Sequence, residues 1–170
     1  MTLWAAVAAE RLGYAREEAL TLGRAVAGLN AQTKGRRLGI MKRASGRGEK
    51  FEASRAATPA KASDANFVTL LGRGVTVKRT PEGLRAVNKD GGVSTAESVE
   101  RYLESKFGES LADARAAMKS LAAAYAPREL EEIAFSLYEQ FRPKIPPGVK
   151  GWGAAGVLDL TLIRKLAKRS

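Results

Sequence analysis

The chain has 170 residues, 45% of them hydrophobic, and carries 29 Lys and Arg against 18 Asp and Glu, a formal charge of +11. Length and apolar content suit one ordinary domain, or a core domain with a short helical appendage. Cysteine and histidine are both absent. That excludes disulfides, thiolate metal sites and the commonest general base and metal ligand, and it fits a reducing compartment.

In chain order, Leu3 to Ala9 form a short apolar run closed by Glu10. It lacks the cationic lead-in of a secretory leader, and no stretch approaches the roughly 18 apolar residues of a spanning helix. The expectation is a soluble, cytoplasmic protein with no membrane partner. Thr2 is placed to cap a first short helix, with Leu3, Trp4, Val7 and Leu12 as its apolar surface and Gly13 as its end. A second helix is expected from Arg16 to Lys34, where Ala15, Ala19, Leu22, Val26, Leu29 and Thr33 recur at spacings of four and three. Gly23, Ala27 and Ala31 make a second stripe of small residues, suited to close approach of another backbone. Gly35 is the expected stop.

Residues 44–66 mix Ala, Ser, Gly and Lys around a single aromatic, Phe51, and read as a flexible basic linker. Phe67–Leu71 and Val75–Arg79 read as a β-hairpin around Gly72-Arg73-Gly74, and Leu84–Val87 as a short third strand. Ser94-Thr95-Ala96-Glu97 has the form of a capping box and opens a helix through Phe107. Ser110 opens the next, with Leu111, Ala114, Met118, Leu121 and Tyr125 on one face. Pro127 fits the first turn of a helix that buries Leu130, Ala134, Leu137, Tyr138 and Phe141. After Pro143, Pro146 and Pro147 comes a glycine-rich loop from Gly148 to Gly156; Asp159 then caps a last helix facing inward through Leu160, Ile163 and Leu166. The predicted architecture is α+β and predominantly α. A helical hairpin (1–43) leads through the linker (44–66) to a C-terminal domain (67–170) with a small β-hairpin and about four helices. A hairpin of that size cannot stand alone. Its stripe is expected to dock on the C-terminal part or on the same hairpin of a second subunit, which would give a homodimer.

Charge is uneven along the chain. From Gln32 to Ala62 there are nine cations and two anions, net +7, whereas Thr95 to Arg142 is net −3. Cations among Gly and Ser can follow phosphates without a shaped groove, so DNA or RNA is the partner this segment suggests, with little base readout. The candidate contacts are Lys34, Arg36, Arg37, Lys42, Arg43 and Arg47. The competing reading makes these cations a helix terminus and a solubilising linker, and the chain a helical interaction module for its own copy or an acidic protein.

The first two helices could also be weighed as a helix-turn-helix. Its recognition helix would then present Glu17 and Glu18 to phosphates, an unfavourable pairing. Lys150 and Trp152 in the glycine-rich loop could serve as a ligand or base contact, against the simpler use of Trp152 as a core plug. Tyr102, Tyr125, Tyr138, Phe107 and Phe141 sit at helical spacings and read as core. No GxSxG, SxxK or P-loop order is present, and Gly72-Arg73-Gly74 does not begin a GxGxxG. The chain is therefore expected not to be an enzyme and to need no cofactor or metal.

Overall fold

The computed structural model describes residues 1–37, 65–88, 90–143 and 158–168. Helices α1 (Thr2–Arg11) and α2 (Arg16–Arg37) are followed by strands β1 (Ala65–Leu70), β2 (Arg73–Thr80) and β3 (Gly83–Ala86). Four helices complete the order: α3 (Ala96–Phe107), α4 (Leu111–Ala123, entered through a 3-10 turn at Gly108–Ser110), α5 (Pro127–Phe141) and α6 (Leu160–Ala167). The strands form one antiparallel sheet in the order β1-β2-β3. The protein is α+β and mostly α.

Helix α1 is the centre of the core. Every residue from Thr2 to Ala9 is buried, and α1 touches α2, α4 and α5. Its alanines keep it thin enough for helices to close around it, as a helix apolar on all sides requires. Trp4 is fully buried and donates from Nε1 to the Ala134 carbonyl of α5 at 2.8 Å. Its ring meets Phe141 edge-to-face, with centroids 5.3 Å apart. Thr2 does not cap this helix: it lies inside the first turn, and Met1 holds the cap position without a side-chain bond. The end is as expected. Tyr14 N–H reaches the Ala9 carbonyl and Gly13 N–H that of Glu10, both at 3.1 Å, which is a Schellman closure.

Helix α2 buries Ala19, Leu22 and Val26 completely, whereas Ala15 at the start of the stripe is exposed. Gly23 is where α1 and α2 meet. A Cβ built there would lie 2.6 Å from Ala6 N and 2.7 Å from the Thr2 carbonyl oxygen. The close approach stops at that residue, for Ala27 is half-buried and Ala31 exposed. Contrary to the expected stop, α2 runs through Gly35 to Arg37. One glycine costs a helix only about 1 kcal/mol relative to alanine, too little to end one already fixed by packing. The hairpin of α1 and α2 docks on the C-terminal elements, and their buried residues belong to one cluster.

The β1–β2 loop is Leu71-Gly72, because Leu70 pairs with Arg73, and not the three-residue loop around Arg73. Leu71 and Gly72 have φ of 51° and 68°, as a two-residue turn matched to strand twist requires. Leucine tolerates that backbone at a cost of about 1–2 kcal/mol, and its side chain is 3% exposed. Burial of a leucine returns about 1.5–3 kcal/mol. The helices downstream largely follow the sequence. Leu130, Ala134, Leu137 and Phe141 are the buried face of α5, and Tyr138 is half-buried beside them. Asp159 caps α6, accepting from Leu162 N–H at 2.9 Å. Two caps differ. Thr95, not Ser94, caps α3, accepting from Ser98 N–H at 3.3 Å. Ser94 is held in extended chain, its N–H bonded to the Ala86 carbonyl and its hydroxyl to Asn88. Ser110 precedes α4 without a side-chain cap bond.

Candidate nucleic-acid interface and the surfaces around it

Helix α2 is anchored at its N-terminal half and cationic at its far end. Arg16 pairs with Glu100 of α3 at 2.5 Å. Glu17 pairs at 2.5 Å with Arg85, whose side chain is 7% exposed and also donates to the Leu84 carbonyl. Glu18 accepts from Ala15 N–H at 3.2 Å, completing the N-terminus of α2, and from Leu84 N–H at 2.8 Å. Gly83 makes room for this carboxylate: a Cβ there would lie 2.5 Å from Glu18 Oε1. Thr21 continues the row, its hydroxyl accepting from Ala86 N–H at 3.3 Å. The carboxylates that looked awkward for a helix-turn-helix are thus spent on the edge of β3. With α1 buried from Thr2 to Ala9 and Glu17 and Glu18 engaged by β3, the start of α2 is not free to read a groove as that motif requires.

Further along α2, the Arg24 guanidinium lies 4.0 Å from the centroid of the Tyr102 ring on α3, and Lys106 stands 6.0 Å from the same ring. Beyond Arg24 the backbone carries Lys34, Arg36 and Arg37 in the last turns. These three candidates are continuous with the anchored part of α2, about 33 Å long in all. Lys42, Arg43, Arg47, Lys150 and Trp152 lie outside the described residues, as do most of the expected linker and the glycine-rich loop.

A second surface was not singled out in the sequence. Between β1 and the start of α5 lies an open cleft of about 540 Å³, lined by Thr69, Leu71, Gly72, Arg73, Arg128, Glu131, Glu132 and Phe135. A smaller hollow of about 280 Å³ continues it past Thr69 and Arg128 to Leu12 and Tyr14. The Arg73 guanidinium stands 5.9 Å from the Phe135 ring centroid. The Tyr14 phenol is pushed above its ordinary value by burial, then by the nearby Glu131 and Glu18 carboxylates. It stays protonated at neutral pH, so it is no candidate nucleophile. Beside the cleft, Phe67 of β1 is 70% exposed, the one large apolar side chain so placed among the described residues. The sequence signal was present in the alternation of Phe67 and Thr69 with Val68 and Leu70, which assigns them to opposite faces.

Among the described residues, no group of three or more acidic side chains is arranged to hold a metal ion, and no helix is long and apolar enough to cross a membrane. Fold and surface together define a mostly helical α+β protein with a core-anchored helix leading into its most cationic segment. Compared with family models, curated proteins and solved structures, the chain matches none.

Proposed function

We propose that this chain is a non-enzymatic, nucleic-acid-associated protein that binds DNA or RNA phosphates with little sequence preference. The reading rests on one observation. Residues 32–62 hold nine cations against two anions, and that segment starts on a helix fixed in the core. Lys34, Arg36, Arg37, Lys42, Arg43 and Arg47 are the proposed contacts. Six neutralised phosphates correspond to a salt slope of about −5, so affinity falls about a thousandfold between 50 and 200 mM salt. Arg24 of α2, stacked on Tyr102, and Lys106 of α3 add cationic surface on the flank of α2.

The test is a mobility-shift titration with DNA and with RNA at two salt concentrations, comparing wild type with a variant carrying Ala at the six positions. The slope should flatten by several units in the variant. Indifference of the wild type to both polymers at low salt would overturn the reading. The alternative is a protein-interaction module, self-associating or meeting an acidic protein. The exposed edge of β1 favours it.

A further inference from the structure

We infer that the outer edge of β1 is the seam of a two-fold dimer, in which β1 pairs antiparallel with β1 of a second copy about Phe67. This does not rest on the nucleic-acid reading and stands or falls separately.

The two edges of the sheet are treated differently. On β3, Leu84 N–H is taken by Glu18, Ala86 N–H by Thr21 and the Ala86 carbonyl by Ser94 N–H. That edge is closed. On β1 the direction of the open groups follows from the ladder. The Thr76 carbonyl accepts from Val87 N–H at 2.9 Å, so Thr76 faces β3. In an antiparallel strand, alternate residues bond to opposite neighbours. Its partner Phe67 therefore makes no ladder bond to β2, and neither do Thr69 opposite Gly74 and Ala65 opposite Lys78. Their N–H and C=O groups point away from the sheet, and no described residue bonds them. An unprotected edge of this kind is a template for another strand.

Three features select a second copy as the occupant. The first is symmetry. With the axis at Phe67, that residue exchanges two hydrogen bonds with its own copy, and Ala65 and Thr69 pair reciprocally, so all three open positions are satisfied. The same axis sets the two Phe67 rings directly opposite, where each covers the other's exposed face. The second is charge. The chain is +11 overall and would repel itself at most faces, yet the cleft flanking β1 balances Arg73 and Arg128 with Glu131 and Glu132. The third is closure. With β3 capped, no copy can add at the other edge, so the pairing ends at two and does not grow into a fibre. Six residues of strand bury less than a stable interface of about 1,200 Å² or more, so the dimer is weak, with Kd in the micromolar range.

The experiment is sedimentation of nuclease-treated protein in high salt from about 1 µM to about 500 µM, with hydrogen exchange read at both ends of that range. Wild type should pass from monomer to dimer. The amides of Phe67 and Thr69 should gain about tenfold protection, while those of Val68 and Leu70, already in the ladder, change little. Thr69→Pro removes an outward donor and no ladder bond, a setting in which an edge strand tolerates proline. It should stay monomeric at every concentration, and Thr69→Val, which keeps the N–H, should dimerise as wild type does. A wild type that remains monomeric, a Thr69→Pro protein that still dimerises, or protection arising on another element overturns the proposal. Should Thr69→Pro fail to fold, the exchange pattern of the wild type decides alone.

Discussion

Gly23→Ala measures how closely α1 and α2 are seated. The added methyl would stand 2.6 Å from Ala6 N and 2.7 Å from the Thr2 carbonyl oxygen, against an ordinary contact of about 3.5 Å. The shortfall is about 0.8 Å, and both obstacles are backbone atoms of a helix buried on every side. No rotamer change relieves it, so the cost belongs near the top of the 1–3 kcal/mol range for overpacking. Alanine's better helix propensity offsets about 1 kcal/mol. A net loss of about 2 kcal/mol follows, or a Tm lower by about 4–8 °C in a chain of this size. Gly28→Ala is the control. It lies on the same helix with nothing within 4 Å of its Cβ position, so it collects the propensity gain alone and should raise Tm by about 2–3 °C. Urea and thermal unfolding of both variants read the sign directly. If Gly23→Ala proves as stable as Gly28→Ala, the two helices are not in backbone contact at Gly23.

Glu18→Ala leaves the half-buried Leu84 N–H without its acceptor and should cost about 1–2 kcal/mol in urea unfolding, while Glu18→Gln, which retains an acceptor oxygen, should lose less. Leu71→Asn relieves about 1 kcal/mol of left-handed backbone strain but forfeits about 2 kcal/mol of burial, so it should lower stability by about 1 kcal/mol; a rise would mean the leucine is not held against the core. The α-amine of Met1 is buried, and that desolvation lowers its pKa from the ordinary 8.0 to about 5. Between those values the unfolded chain binds more protons, so stability falls as pH drops from 8 toward 5, by at most about 1.4 kcal/mol per unit. Chemical unfolding across that range should show the slope in a chain with a free amine at Met1 and none after Nα-acetylation.

The downstream helices were legible because each carries its own information. The α5 face declares itself at intervals of three and four from Leu130 to Phe141, and Asp159 caps α6 with a bond to its own helix. What could not be read depended on partners distant in sequence. Helix α1 looked like a short amphipathic piece because alanine is neutral in any periodicity count; its burial on all faces needs α2, α4 and α5 around it. The α3 cap moved one residue, from Ser94 to Thr95, because the Ala86 carbonyl holds Ser94 in extended chain. Glu17 and Glu18 were read as obstacles to a nucleic-acid groove. Their use became visible only with β3 beside them. Of the proposed phosphate contacts, the sequence supplied the count of cations, and the fold adds that α2 continues past Gly35 to carry the first three.

The proposed assignment of residues 32–62 to polyanion binding can be tested against the core in both directions. Of the formal +11, residues 32–62 hold +7, leaving +4 for all the others. If the six proposed contacts serve phosphates and not the fold, replacing them with Ala should flatten the salt dependence of nucleic-acid binding and leave Tm almost unmoved, as solvated charges contribute little to folding. Gly23→Ala should do the opposite, lowering Tm while the salt slope of the folded protein stays at its wild-type value, since counterion release depends on the phosphates neutralised and not on how tightly α1 and α2 pack. If the six-cation variant also unfolds, the cations are part of the fold, and the assignment of that segment to polyanion binding loses its basis.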